Sequence, residues 1–370
     1  MFVAWRDLRF ARGRFLLIGS VVALITVLVQ FLSGLTGGLA AQNVSAILSL
    51  PADRVVFSAP PGGGGPDVGD STITSAQAVA WAATAGVESV EPVGIAQTRA
   101  EAGGVRVPVA LLGVRPGFAA GPALDDGALE DGALKNGALE NGTVALSSPA
   151  AAGLGVTVGD TVTVAGTGYR VASVGGDSWF SHTPVVWVTL ADWQAHAATT
   201  GSPDAFATVL AVTGSADWSA VDAETRTLSE SRLGSLVAIG SFRSETGSLL
   251  LMVAMLFAVS ALVIGAFFTV WSMQRSADVA VLKALGASTR SLVRDALGQA
   301  LVVLVLGIGA GTLVVVGLGA LAGQVLPFVL TPLTTLVPAA VMSTLGLAGA
   351  ATALRSVTSA DPLTALGSNR

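Results

Sequence analysis

Four stretches of this chain carry no charged side chain over lengths that cross a bilayer, and they constrain the fold more than any other feature. They are residues 15–35, 249–273, 296–325 and 331–354. The hydrocarbon core takes about 20 apolar residues as α-helix, so each run predicts a transmembrane helix. The third and fourth runs are too close in sequence for a domain between them, which predicts a helical hairpin. The first run also has a basic start and a small-x-small site, Gly38-Leu39-Ala40, as a cleaved signal peptide would. A signal core is about 7–15 residues long, so the longer run is read as a retained span. Its helical pattern continues to about Leu48.

The chain therefore divides into a cytoplasmic N-terminal segment (1–14), a first span with an outer extension (15–48) and an extracytoplasmic domain (49–240). A second span (241–273), a cytoplasmic loop (274–294), a third span (295–323), a short external loop (324–332), a fourth span (333–354) and a cytoplasmic tail (355–370) follow. Sidedness comes from charge near the span ends. Arg6, Arg9, Arg12, Arg14, Arg275, Lys283, Arg290, Arg294, Arg355 and Arg370 lie in the segments that an even span number places together. With Asp7, Asp278, Asp295 and Asp361 those segments sum to +6, and the remaining nine basic and twenty acidic residues give -11. Both termini are thus expected in the cytoplasm of a bacterial cell, with the chain multi-pass in its membrane.

Only the middle of the chain is polar enough to face water. Residues 53–58, 105–114, 161–174 and 184–190 read as strands, and Thr74 or Ser75 caps a helix reaching about Ala85. The expected class is a four-helix membrane protein with one mixed α+β domain between helices 1 and 2. The glycine run at 62–65 is not a phosphate loop, because no Gly-Lys-Ser/Thr follows it. Gly-Ala-Leu recurs at 127–129, 132–134 and 137–139, a five-residue period that keeps neither a helical nor a strand face and reads as a surface loop. The polar stretch 219–242 is read as a helical stalk below the second span, matching the extension at 35–48.

The segment between spans two and three reads Arg275-Ser276-Ala277-Asp278-Val279-Ala280-Val281-Leu282-Lys283-Ala284-Leu285-Gly286-Ala287-Ser288. It resembles the corresponding segment of MacB/FtsX-type ABC permeases. Trp5-Arg6-Asp7-Leu8-Arg9-Phe10, the stretches 143–147 and 155–162, and Asp361-Pro362-Leu363-Thr364-Ala365-Leu366 resemble other parts of that family, so the resemblance runs along essentially the whole chain. It implies an N-terminal amphipathic helix and a coupling helix through which ATP-driven motion enters, with Val279, Leu282, Lys283, Leu285, Gly286 and Ala287 as the coupling residues. It also implies two copies of a cytoplasmic ABC ATPase subunit, which hold ATP and Mg, and a second copy of this chain. Read as a helix alone, the segment could equally rest on anionic lipid headgroups. The chain has no Walker A motif, and its only lysines are Lys135 and Lys283, so it is not expected to be an enzyme by itself.

The resemblance is nearest to the haem-exporting HrtB group and the related DevC group, which implies haem or a similar amphipathic toxic compound as cargo. Haem iron takes His, Met, Tyr or carboxylate ligands. Glu245, at the outer edge of span two, and Met252, two turns on along one helical face, are the candidates, with Met255 on an adjacent face. The alternatives are that Glu245 pairs with Arg243 or meets water, and that the methionines pack. His182, His196 and Tyr169 are weaker candidates, and Gln30 within span one reads as an interhelical hydrogen bond or part of a cargo path. The chain has no cysteine and only two histidines; neither H-E-x-x-H nor G-x-S-x-G occurs, so hydrolysis has little support. An acidic chain is not a default nucleic-acid binder. Two other functions stay open: an FtsX-like mechanotransmitter controlling a cell-wall enzyme, and a subunit of a two-component relay.

Overall fold

The structure is a computed structural model that describes residues 12–118, 139–274, 281, 286–323 and 325–358. The described chain forms two compact units, Leu39–Gly247 and the residues on either side of it.

Four long helices are apolar enough to cross a membrane: α1 (Arg12–Leu48), α6 (Gly240–Gln274), α7 (Thr289–Ala322) and α8 (Pro332–Thr358). In hydrocarbon a helix satisfies its own backbone polar groups, and association relies on close packing rather than on apolar burial. Glycine supplies that closeness. Gly307 and Gly311, one turn apart on α7, are both buried. A Cβ on Gly307 would overlap Val22 and the Gly19 carbonyl oxygen of α1, and one on Gly311 would overlap Thr26 and the Ala23 carbonyl oxygen. Gly346 of α8 seats Leu304 of α7, and Gly349 faces the Gly265 backbone of α6. Ile18, Val22, Val29, Ile264, Phe268, Trp271, Leu304, Ile308 and Met342 fill the core between these contacts.

Pro338 lies inside α8 and has no N–H to offer the carbonyl one turn before it. At that weakened turn Gln30 Nε2 of α1 donates to the Thr335 carbonyl at 3.0 Å, which is the interhelical bond the sequence allowed. The link between α7 and α8 folds back on α1. Phe328 stacks against Phe31 with centroids 5.0 Å apart, and Val329 N donates to the Gly34 carbonyl at 3.1 Å.

The inserted unit is mixed α/β. Its strands are β1 (Arg54–Ser58), β2 (Val87–Ala102), β3 (Val105–Val114), β4 (Thr143–Leu146), β5 (Thr161–Val164), β6 (Thr167–Val174), β7 (Trp179–Phe180), β8 (Thr183–Thr189), β9 (Val209–Gly214) and β10 (Thr227–Ser231). Nine of them run in the order β10-β1-β9-β2-β3-β8-β4-β6-β5 with β7 paired to β8 off that path, and β5 also pairs with β2, so six strands close into a ring. The long strand β2 joins both parts: its first half pairs with β9 and its second half with β3. Strands buried on both faces read as continuous apolar runs. In β3, Val109 and Leu111 enter one core, while Ala110, Leu112 and Val114 enter the other. Helices α2 (Ser75–Ala82), α3 (Ser148–Leu154), α4 (Leu190–Thr199) and α5 (Trp218–Thr225) cover the sheet. Thr74 caps α2 in a capping box with Gln77. Trp193 of α4 lies on the Gly94–Gly113 pair of β2 and β3, where any Cβ would enter its ring.

The expectation of one helical stalk over 219–242 is wrong. That stretch is α5, then β10, then a 3₁₀ turn at Gly234–Ala238, with α6 beginning only at Gly240. Arg226 takes φ 55 and ends α5 in the left-handed region. Asp222 then accepts hydrogen bonds from Thr227 Oγ1 and Ser229 N, turning the chain into β10 beside β1. The expected strand at 161–174 is two strands about a turn at Ala165 and Gly166, both at positive φ. Helix α7 starts at Thr289, inside the segment expected to be loop.

Gly309 has nothing within 4 Å of its Cβ position, so it serves as a control for Gly311. Gly311→Leu should lower the thermal midpoint of the purified chain, a loss of about 2 kcal/mol as for overpacked sites. Gly309→Leu should leave it unchanged.

Candidate functional site

The groups with most capacity for function meet in the inserted unit, where the last turns of α1, the β7–β8 hairpin and the first turns of α6 come together. Each segment reaches the site for a local reason. The hairpin turn consists of Ser181 and His182, with φ of 49 and 61, the left-handed pair that a tight two-residue turn requires. Non-glycine residues pay for that conformation, about 1–2 kcal/mol each, and here the turn is held from outside. Ser181 N donates to the Asn43 carbonyl at 2.9 Å and His182 N to the Gln42 carbonyl at 3.0 Å. Ser45 of α1 adds a third tie, accepting from Trp179 N at 2.8 Å.

The side chains complete the cluster. His182 Nε2 lies 3.0 Å from both carboxylate oxygens of Glu245. Asn43 Nδ2 donates to Glu245 Oε2 at 3.4 Å and lies 3.2 Å from His182 Nε2. Asn43 Oδ1 accepts from Ser241 Oγ at 2.6 Å, and Ser241 Oγ pairs with Ser181 Oγ at 2.8 Å. Asn43 is buried at 1% exposure, whereas the His182 and Glu245 side chains are 33% and 41% exposed. The centre of the cluster is therefore dry and its ion-pairing rim is wet. A proton on Nε2 serves the Glu245 carboxylate, whereas a lone pair on it serves the Asn43 amide, so the tautomer decides which of the two contacts is made.

Glu245 thus has a partner that its sequence neighbours did not suggest. Arg243, named above as one alternative, instead bonds Asp67 Oδ2 at 3.3 Å. Met252 and Met255 belong to the helical unit and are 51% and 61% exposed. His196 lies on α4 along an open cleft of about 500 Å³ that Ser181 and Ser241 also line, and burial pushes its pKa below the ordinary imidazole value. Tyr169 sits in the core to which α4 contributes Leu190, Trp193 and Ala197, and burial raises its phenol pKa. The sequence reading missed Asn43, Ser45, Ser181 and Ser241. The one usable signal was the polar group Gln42, Asn43 and Ser45 at the end of a long apolar helical pattern.

Of the expected coupling residues, Val279, Leu282, Lys283 and Leu285 lie outside the described residues. Gly286 and Ala287 are described: Gly286 takes φ 94, and Ser288 after them caps α7, its side chain accepting from Ser291 N. The expected N-terminal amphipathic helix, the tail motif at 361–366 and most of the 125–142 repeat segment also fall outside the described residues.

Comparison with known proteins agrees with this architecture. Residues 15–228 match the family profile of the MacB-like periplasmic core domain, and residues 250–362 match that of the FtsX-like permease C-terminal region. The chain is 25% identical over 377 residues to a permease of Staphylococcus haemolyticus provisionally named for a hemin transport system, HrtB, covering 99% of each chain. A Staphylococcus epidermidis protein of the same name is 21% identical with the same coverage. An uncharacterised ABC transporter permease of Mycobacterium tuberculosis is 24% identical, again over 99% of each chain. The solved periplasmic region of MacB from Actinobacillus actinomycetemcomitans is 13% identical with a TM-score of 0.34, covering 50% of this chain and 92% of that one.

Asn43→Ala should loosen the hairpin specifically. It removes the acceptor of Ser241 Oγ and one donor to Glu245, a loss of about 1–3 kcal/mol. Hydrogen exchange at the Ser181 and His182 amides should rise about tenfold, the equivalent of about 1.4 kcal/mol, while β3 amides keep their protection.

Proposed function

This chain belongs to the ABC transporter permeases that combine a MacB-like periplasmic core with an FtsX-like C-terminal region, and on that premise we propose that it is the permease of an ATP-driven exporter of haem or a similar amphipathic toxic compound. The observation that carries the cargo class is the end-to-end similarity to permeases named for hemin transport. In this reading two copies of the chain work with two separate cytoplasmic ATPase subunits, both termini are cytoplasmic, and the inserted domain lies outside. Glu245 offers a carboxylate oxygen to the iron, with Met252 and Met255 as soft ligands nearby in sequence. The segment holding Val279, Leu282, Lys283, Leu285, Gly286 and Ala287 receives motion from the ATPase.

A force-transmitting permease without cargo is the second reading. It is favoured by the end of α1, where Val44, Ala46 and Ile47 are built into the core of the inserted unit rather than leading to a free linker. Such an anchored helix end would carry displacement into that domain.

Titration of the purified chain with haem should produce a Soret shift that weakens at least severalfold in Glu245→Ala and in Met252→Ala. Absence of any shift, together with unchanged haem sensitivity of a deletion strain, would favour the force-transmitting reading. Separately, Leu282→Asp with Leu285→Asp should abolish ATP-driven activity while the protein still reaches the membrane; retained activity would remove the coupling assignment.

A further inference from the structure

We infer that the edge of β2 between Ile95 and Arg99 is a docking slot for an extended, acidic peptide segment of a separate protein, held by main-chain pairing at Gln97. The slot lies wholly within the inserted unit and does not depend on the cargo.

Along one edge β2 pairs with β3 without a break from Gly94 to Ala102. Its other edge is shared by two strands that do not meet: β9 covers Val87 to Val93, and β5 covers Ala100 and Glu101. Thr208, just before β9, closes one end of the gap. Its N–H donates to the Val93 carbonyl, and its hydroxyl accepts from Ile95 N and donates to the Ile95 carbonyl. Ala165 N closes the other end by donating to the Arg99 carbonyl at 3.1 Å. Backbone groups alternate between the two edges of a strand, and Pro108, which has no N–H, stands opposite Arg99 on β3. Val93, Ile95, Gln97 and Arg99 therefore turn their backbone groups away from β3. Among the described residues, Gln97 is the one of these four whose N–H and carbonyl both lack a partner, and it is exposed.

An open edge is a template for another chain, and proteins block most of theirs. At the outermost strand, β10, Asp222 occupies Ser229 N. The edge at Gln97 has no such guard, and Gln97 itself lines two clefts. One, of about 500 Å³, is walled by Ile95, Phe180, Trp193, His196 and Ile239. The other, of about 550 Å³, is walled by Arg99, Pro108, Ala165 and Thr183. A free donor–acceptor pair between two clefts is what strand addition uses: the main chain supplies affinity, and alternate side chains enter the pockets beside it.

The clefts differ in chemistry, and the difference selects the occupant. Trp193, 4% exposed, keeps a buried Nε1–H with no acceptor among the described residues. A buried donor left unmade is costly, and a carbonyl of an incoming chain would satisfy it. Burial also favours the neutral form of the neighbouring His196 ring, so this cleft suits an apolar side chain. In the other cleft Glu101 is taken by Arg106 at 2.8 Å, while the exposed Arg99 guanidinium has no acid among the described residues. A carboxylate on the incoming segment would give Arg99 the charge-assisted partner that Arg106 already has.

The probe is a random library of linear phage-displayed peptides, selected on the full chain in detergent. Enriched peptides should alternate β-branched residues around an aspartate or glutamate. In the best of them, methylating the one main-chain nitrogen that pairs with Gln97 should weaken binding about three- to tenfold, the loss of one hydrogen bond, with little effect at its two neighbours. Docking through side chains alone gives no such contrast. Gln97→Pro removes the outward N–H where an open edge tolerates proline and should weaken binding by a similar factor. Arg99→Glu should weaken it at least about threefold, and Arg170→Glu, an exposed arginine on β6, should not. The methylated peptides read the same contact on the unsubstituted chain, so the result stands even if a variant misfolds. No enriched peptide, a methylation profile without the contrast, or binding unchanged in both Gln97→Pro and Arg99→Glu overturns the slot. Self-association of the chain that Gln97→Pro abolishes, with no peptide selected, would assign the edge to a second copy and overturns it too.

Discussion

A single buried amide organises the meeting of three segments distant in sequence. Asn43 sits in the last turns of a membrane-spanning helix, next to Gln42 and two residues before Ser45. Its oxygen accepts from Ser241, its nitrogen donates to Glu245, and its backbone carbonyl receives Ser181 N. A buried amide is costly unless its bonds are made, so these partners are obligatory rather than incidental. The hairpin turn depends on them in turn, because its left-handed residues have no glycine to relieve them. The base of α6 depends on them as well, since Ser241 and Glu245 are fixed there.

The helical unit rests on a different principle. Within hydrocarbon there is no gain in merely hiding leucine, and the helices approach where side chains are missing. Gly307 and Gly311 let α7 lie against the α1 backbone, and Gly34 and Gly319 leave a socket for Phe328. The polar exceptions are few and are used. Gln30 donates to the Thr335 carbonyl in the turn before Pro338, a polar bond between two helices.

These two kinds of packing differ in how they show in a sequence. Spans are legible because a long uncharged run admits few other folds, and β3 is legible because Val105, Val107 and Val109 alternate before the apolar run to Leu112. Helix boundaries are less so: α7 begins at Thr289, within a segment rich enough in charge to read as loop. The stalk expected at 219–242 failed for a physical reason. Its polar spacing was helical, but Asp222 captured Thr227 and Ser229, and β1 offered an edge for pairing, so tertiary contacts overrode the local pattern. Glu245 was legible as an unusual carboxylate, whereas its partner was not. His182 lies 63 residues away along the chain, and no spacing rule connects a hairpin turn to a helix base.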